Sequence, residues 1–174
     1  GGMGVLLRLA KTLKDNGNNV KMIYEPRLDQ RASVEESNKQ RKQVDIYEKL
    51  NPKWIEFSVS DLEFIPLGDK NVTFNDKTTS KCQPLMVEPE DFLIIPEGFP
   101  DVMQKTMKVS CKRIVLAQSW FYVLNAMNPG DKWQHYGVND VVSVSNSITE
   151  YLNAIMPGLN IKRLHQGINT KIFK

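Results

Sequence analysis

The sequence predicts an α/β domain with a mostly parallel sheet and helices layered against it. Short runs rich in Leu, Ile and Val begin near residues 92, 113, 140 and 161, the kind of segment that forms strands buried on both faces of a parallel sheet. Segments of helical character separate them, and a helix between successive strands requires parallel pairing by right-handed crossovers. The 174 residues give one domain a sizeable core and are few for two, so residues 1–174 are read as a single domain.

In chain order, Gly1-Gly2-Met3-Gly4 runs directly into an amphipathic helix with Val5, Leu6, Leu9, Ala10 and Leu13 on one face, ended by Asn16-Gly17. No strand precedes it, so the sheet is expected to lack its first strand. Asn19–Tyr24 reads as a strand. Ser33 and Glu36 make a capping box for a polar helix reaching Leu50, which Pro52 ends. Trp54–Val59 alternates as a strand does, with Ile55, Phe57 and Val59 on one side. Leu62–Leu67 and Val72–Phe74 are shorter β pieces beside turn signals at Gly68-Asp69 and Asn75-Asp76. Residues 60–90 break the strand–helix rhythm and are read as a small β excursion carrying a hairpin.

From Asp91 the rhythm is regular. Phe92–Ile95 is a strand, Pro100–Met107 a helix, Arg113–Ala117 a strand and Trp120–Met127 a helix. Asp140–Val144 follows as a strand. Ser147 with Glu150 forms a second capping box, opening a helix that carries Ile148, Tyr151, Leu152 and Ile155 to Pro157-Gly158. Ile161–Gln166 is the last strand and Gly167 breaks it. The sum is a doubly wound, Rossmann-like three-layer arrangement, in which ligands sit at the carboxyl ends of strands. Here those ends are Pro96-Glu97-Gly98, Gln118-Ser119-Trp120 and Ser145-Asn146.

Composition narrows the function. Apolar content of 41% and charged content of 25% describe an ordinary globular chain. Lys+Arg 23 against Asp+Glu 20 leaves +3, with basic residues scattered among acids, so no nucleic-acid footprint is expected. Cys82 and Cys111 fit no zinc or redox spacing and suit free thiols in a reducing cytoplasm. The longest apolar run, Phe92–Ile95, is too short to span a bilayer, and no basic-then-apolar leader opens the chain, which leaves peripheral membrane association open. Asn71-Val72-Thr73 would be a glycosylation acceptor only in a secreted chain.

The order from Asp140 to Phe173 carries a family resemblance. A strand ends in Val144-Ser145-Asn146-Ser147, a helix follows, and the next strand ends in Gln166-Gly167-Ile168-Asn169 with Phe173 beyond. This resembles the end of the N-terminal domain in family-4-like glycosyltransferases of the two-Rossmann-domain (GT-B) architecture. There a Val-Ser-x-Ser strand end leads into a helix, and an Asn-Gly-Val-Asp-like turn precedes the crossing to a second domain. Two polar positions of that turn differ here. The resemblance covers the Gly-rich opening and residues from about 91 to 174, and is weak between 25 and 90. It implies the acceptor-binding half of an enzyme that moves a sugar from a nucleotide-sugar to a glycan or other acceptor. The transfer would retain configuration, use no metal and need no cofactor beyond the nucleotide-sugar co-substrate. The donor-binding domain would lie after Phe173, and this chain alone is expected to be inactive. Exposed sheet edges would leave room for a homodimer.

On that reading Gly1, Gly2 and Gly4 would offer backbone N–H groups to the donor's phosphates, helped by the positive helix end. The plain alternative is a terminus ahead of a core helix. Arg27, Glu97, Gln118, Ser119, Trp120 and Ser145 would line the acceptor side. Glu97 either meets acceptor hydroxyls, acting as acid or base if its surroundings raise its pKa, or caps the next helix. Gln118 and Ser119 hydrogen-bond a sugar or merely finish a strand. Ser145 donates to a ligand or is an ordinary loop hydroxyl. Trp120, Phe121 and Tyr122 stack on a sugar or pack in the core, the commoner place for aromatics on a helix.

Several signatures are absent or misleading. His135 and His165 are lone histidines without a second ligand at metal spacing, and no Asp-x-Asp pair is present. Glu48 and Glu56 match the Glu-x7-Glu spacing that grips donors in this family. They straddle Pro52 without a Gly-rich loop, so the match is chance. Walker lysine loops, nucleophile-elbow serines and HExxH are missing, as is the G-x-G-x-x-G of a dehydrogenase. The competing class is a non-catalytic Rossmann-like interaction module. A transferase half should expose an aromatic or apolar cleft face, and a stand-alone module a polar one.

Overall fold

The computed structural model describes residues 2–24, 57–66, 72–74, 83–165 and 167. They belong to two compact units, Gly1–Leu85 and Met86–Lys174. All strands described are paired in parallel, and the chain has the α/β, Rossmann-like architecture.

The first unit opens with α1 (Gly2–Asp15). Its apolar stripe buries Leu7 and Ala10 against Val59 and Leu62, with Val20, Met22, Phe57 and Phe64 packed around them. Lys11 bridges Asp15 within the helix and Asp61 beyond it, the latter at 3.3 Å. Strand β1 (Lys21–Tyr24) pairs with β2 (Glu63–Pro66), and β3 (Val72–Phe74) pairs with β4 (Gln83–Leu85).

Two sequence readings are corrected here. Residues 60–90 hold β pieces as expected, but none is half of a hairpin: each pairs in parallel, β2 with a strand some forty positions earlier. Such long-range partnering is not written in local turn residues. The alternation Phe57–Val59 is also not a strand. Val59 lies in a turn closed by the Leu62 N–H on its carbonyl at 3.1 Å, and is 3% exposed because it packs with Leu7, Ala10 and Leu62. The polar helix expected over 33–50 and the strand residues 54–56 lie outside the described residues, as does Cys82.

The second unit is the regular half. Strands β5 (Phe92–Pro96), β6 (Lys112–Ala117), β7 (Asp140–Ser143) and β8 (Asn160–Arg163) form one sheet in that order. Between them run α2 (Pro100–Lys105), α3 (Trp120–Ala126), a 3-10 turn (Trp133–Tyr136) and α4 (Asn146–Ile155). Because the strands follow sequentially, the sheet is wound in one direction rather than doubly, and no strand-order reversal lies within it. Three crossovers of one hand then place their helices on one face. Alternation along the strands turns Ile95, Val115, Ala117 and Val141 to that face, where they meet Met103, Val123, Trp133, Ile148 and Leu152 in a single core.

Candidate functional site

The carboxyl ends of β5, β6 and β7 gather most of the sequence-selected residues. In-register pairing sets Pro96 beside Leu116 and Ala117 beside Ser143, so the residues just beyond them leave the sheet along one edge. Glu97 follows β5 in a turn, Gln118 and Ser119 follow β6, and Ser145 follows β7.

Glu97 is 3% exposed, one of few buried charged or polar residues described. Burial pushes its carboxyl above the ordinary range, and the backbone N–H groups of Glu97 itself, Gln118 and Ser119 partly offset this. The helix-capping alternative does not hold. Helix α2 starts at the Phe99 N-cap with no side-chain hydrogen bond there, and Pro100 at its first position needs none. The carboxyl instead looks across the strand ends toward the β6–α3 connection. Chemically it is a group poised to hold or release a proton, seated behind the surface rather than on it.

Ser119 is the N-cap of α3, its Oγ accepting from the Phe121 N–H at 3.2 Å. Ser145 is the N-cap of α4, accepting from the Ile148 N–H at 3.3 Å, and its Oγ lies 3.0 Å from the Ser147 Oγ. This moves the cap from Ser147 to Ser145 and dissolves the Ser147–Glu150 capping box. The helix starts one residue after the cap at Asn146, because the extended backbone of Ser145 turns its hydroxyl over the first free N–H groups. Both serines therefore have a structural task; Ser119 keeps its hydroxyl proton to donate, while Ser145 shares a hydrogen bond with the Ser147 hydroxyl. Gln118 is half-buried, and among the described residues its amide has no side-chain hydrogen-bond partner.

The aromatic segment departs most from expectation. Trp120, Phe121 and Tyr122 do not pack in the core. They are 50%, 55% and 57% exposed, with Leu124 at 56% and only Val123 of the helix buried. The rings are nevertheless ordered by one another. Trp120 meets Phe121 edge-on at 6.4 Å and Tyr151 of α4 at 6.2 Å, and Phe121 meets Tyr122 at 5.9 Å. The glutamate turn joins this shelf: a Cβ placed on Gly98 would stand 3.8 Å from the Tyr122 Cβ. Phe99, 44% exposed, extends the apolar surface.

None of the protein-family models, the curated proteins or the solved structures matches this chain. The functional reading therefore rests on its own residues.

The remaining candidates fall elsewhere. Gly2 and Gly4 are not a loop ahead of a helix but the first turn of α1, in the other unit, and Gly1 and Arg27 lie outside the described residues. The first-turn N–H groups of α1 still lack intrahelical partners. His135 serves locally, its Nδ1 accepting from the Lys132 N–H at 3.3 Å. Cys111 is a buried free thiol whose pKa burial raises. Among the described residues no cluster of His, Cys, Asp or Glu could hold a metal ion, and no helix is long and apolar enough to cross a membrane. Sequence reasoning missed the exposure of the α3 face and the supporting role of Tyr151. No local signal gave it: residues 120–124 are apolar at every position, a pattern that argues for burial on all sides.

Proposed function

We propose that this chain is the acceptor-side domain of a cytoplasmic glycosyltransferase that takes its sugar from a nucleotide-sugar donor. One observation carries the reading. An exposed, mutually braced aromatic shelf lies beside a buried carboxyl at the carboxyl edge of a parallel sheet. A polar face would favour an interaction module; an aromatic one suits sugar stacking and closure against a donor-binding partner. In such an enzyme the acceptor rests on Trp120, Phe121 and Tyr122, and Gln118 and the hydroxyls of Ser119 and Ser145 meet its hydroxyls. Catalysis comes from orienting two substrates across a cleft and stabilising the departing diphosphate, whose nucleotide is held by a second domain.

Calorimetric titration with UDP, GDP, UDP-glucose and GDP-mannose tests the assignment of halves. The expected result is no saturable heat from any of them. Micromolar binding, or turnover of a nucleotide-sugar by this chain alone, would sink it.

A further inference from the structure

We propose that Glu97 is a proton-operated clamp on α3: the helix is docked while the buried carboxyl carries its proton, and comes away from the sheet as the carboxyl ionises. This concerns how the aromatic shelf is held and stands apart from what the shelf binds. The geometry lies at the start of the helix. Ser119 is the N-cap, and its Oγ accepts from the Phe121 N–H. In a capping box the third helical residue returns an acceptor to the N–H of the cap; here that residue is Tyr122, which lacks the carboxylate or amide the motif uses. The acceptor comes from the neighbouring strand end instead. Glu97, just beyond β5, accepts from the N–H groups of Gln118 and Ser119. It thus completes the cap not of the helix that follows it but of the one after. In-register pairing of Pro96 with Leu116 brings the two strand ends level, and the turn lies against the helix, a Cβ on Gly98 standing 3.8 Å from that of Tyr122.

Helix α3 needs such a hold. Its 7 residues fall well short of the roughly 12–15 that an isolated helix needs in water, and Val123 is its one buried residue. An element with so little burial opens locally at a fraction of the global unfolding cost. Two opposed effects decide the sign. The N–H donors favour the ionised carboxyl, and burial favours the neutral one. Burial is the larger, so the docked state holds the proton more tightly than a released state with Glu97 in water at its ordinary 4.5. Docking is therefore fully supported below 4.5 and weakens as pH rises through the docked value, by up to about tenfold per pH unit, then levels off. The surrounding elements carry other ionisable groups: Asp101 and Lys105 on α2, Tyr122 on α3, Glu150 and Tyr151 on α4, and Arg163, bonded to Asn146, on β8. Lys112, Arg113 and Asp140 stand at the opposite ends of β6 and β7. Burial and the backbone donors, rather than any of these, set the proton affinity of Glu97.

The test is amide hydrogen exchange followed by NMR from about pH 4 to about pH 9, on the wild-type chain and on Glu97→Gln, whose amide keeps an acceptor and cannot ionise. Expressed as protection factors, the readings are free of the intrinsic pH dependence of exchange, and the emission of buried Trp133 reports folding of the variant. In the wild type, protection of the α3 amides is expected to fall at least about threefold as pH rises from 4.5 to its plateau, while that of the α4 amides holds. In Glu97→Gln the α3 amides should show no such fall. Parallel change in α3 and α4 of the wild type, a comparison that needs no variant, would overturn the clamp. The same fall in Glu97→Gln would assign it to another group and overturn it equally. Protection of α3 that rises with pH would show that the N–H donors outweigh burial, reversing the device. Each of these outcomes leaves the calorimetric test of the proposed function untouched.

Discussion

The Gly137 position offers a direct check on how the second unit is tied together. Gly137 closes the 3-10 turn in the left-handed region, at φ 71° and ψ 22°. The Arg113 guanidinium reaches it from β6, with Nη2 donating to the Gly137 carbonyl at 3.1 Å and Nη1 to the Met103 carbonyl at 3.0 Å. One side chain thus joins the strand, the end of α2 and the 3-10 turn. A Cβ added at Gly137 would stand 2.8 Å from Nη2. Gly137→Ala therefore incurs two costs. The left-handed backbone costs an alanine about 1–2 kcal/mol. The Nη2 is the far end of a flexible side chain and its bond to Gly137 is exposed, so shifting it weakens that hydrogen bond at a cost of about 0.5–1.5 kcal/mol. The expected loss is about 1.5–3.5 kcal/mol. Gly130 supplies the control: its φ is +86° and a Cβ there meets nothing within 4 Å, so Gly130→Ala should lose only the backbone part. Urea unfolding followed by tryptophan emission measures both, since Trp133 lies inside the affected region and is fully buried. Equal destabilisation by the two substitutions would show that Arg113 does not occupy that place.

Two further perturbations bear on the candidate site. Glu97 has a folded pKa raised from its ordinary value of 4.5, so the folded state binds the proton more tightly than the unfolded chain. Its contribution is least unfavourable below 4.5 and turns destabilising as pH rises through the folded value; subtracting Glu97→Gln from wild type should give a stability difference falling in that direction, and a flat or opposite difference would refute the burial argument. Ser145→Ala should cost about 1 kcal/mol as a lost N-cap, whereas Ser147→Ala should stay within about 0.5 kcal/mol in thermal or urea unfolding; the reverse order would restore Ser147 as the cap.

The second unit was largely legible because its signals are local. Each strand is a short apolar run with its own breakers, and β5, β6, β7 and β8 begin within one residue of the positions read from the pattern. Helix α2 stops at Lys105, two residues early, because Thr106 turns its hydroxyl back onto the Val102 carbonyl at 2.7 Å. The cap at Ser145 was misplaced for a related reason: in Ser145-Asn146-Ser147 either serine satisfies the composition rule, and only the backbone angles separate them. The first unit was less legible, because β1 and β2 find each other across some forty residues and no residue near either names the partner.

By itself the sequence determined the strand and helix rhythm, the parallel character that such connections impose, and the chemistry available at the strand ends. Periodicity and turn residues act over a few positions, and those properties are set at that range. Only the tertiary structure decided the one-way order of the four strands, the burial of Glu97 beneath the β6–α3 connection, and the outward face of Trp120, Phe121 and Tyr122. Each depends on what stands opposite a residue in space. Val123 alone of the α3 residues points to the core, and its four apolar neighbours are left to the surface because a short helix over a parallel sheet has one inward side.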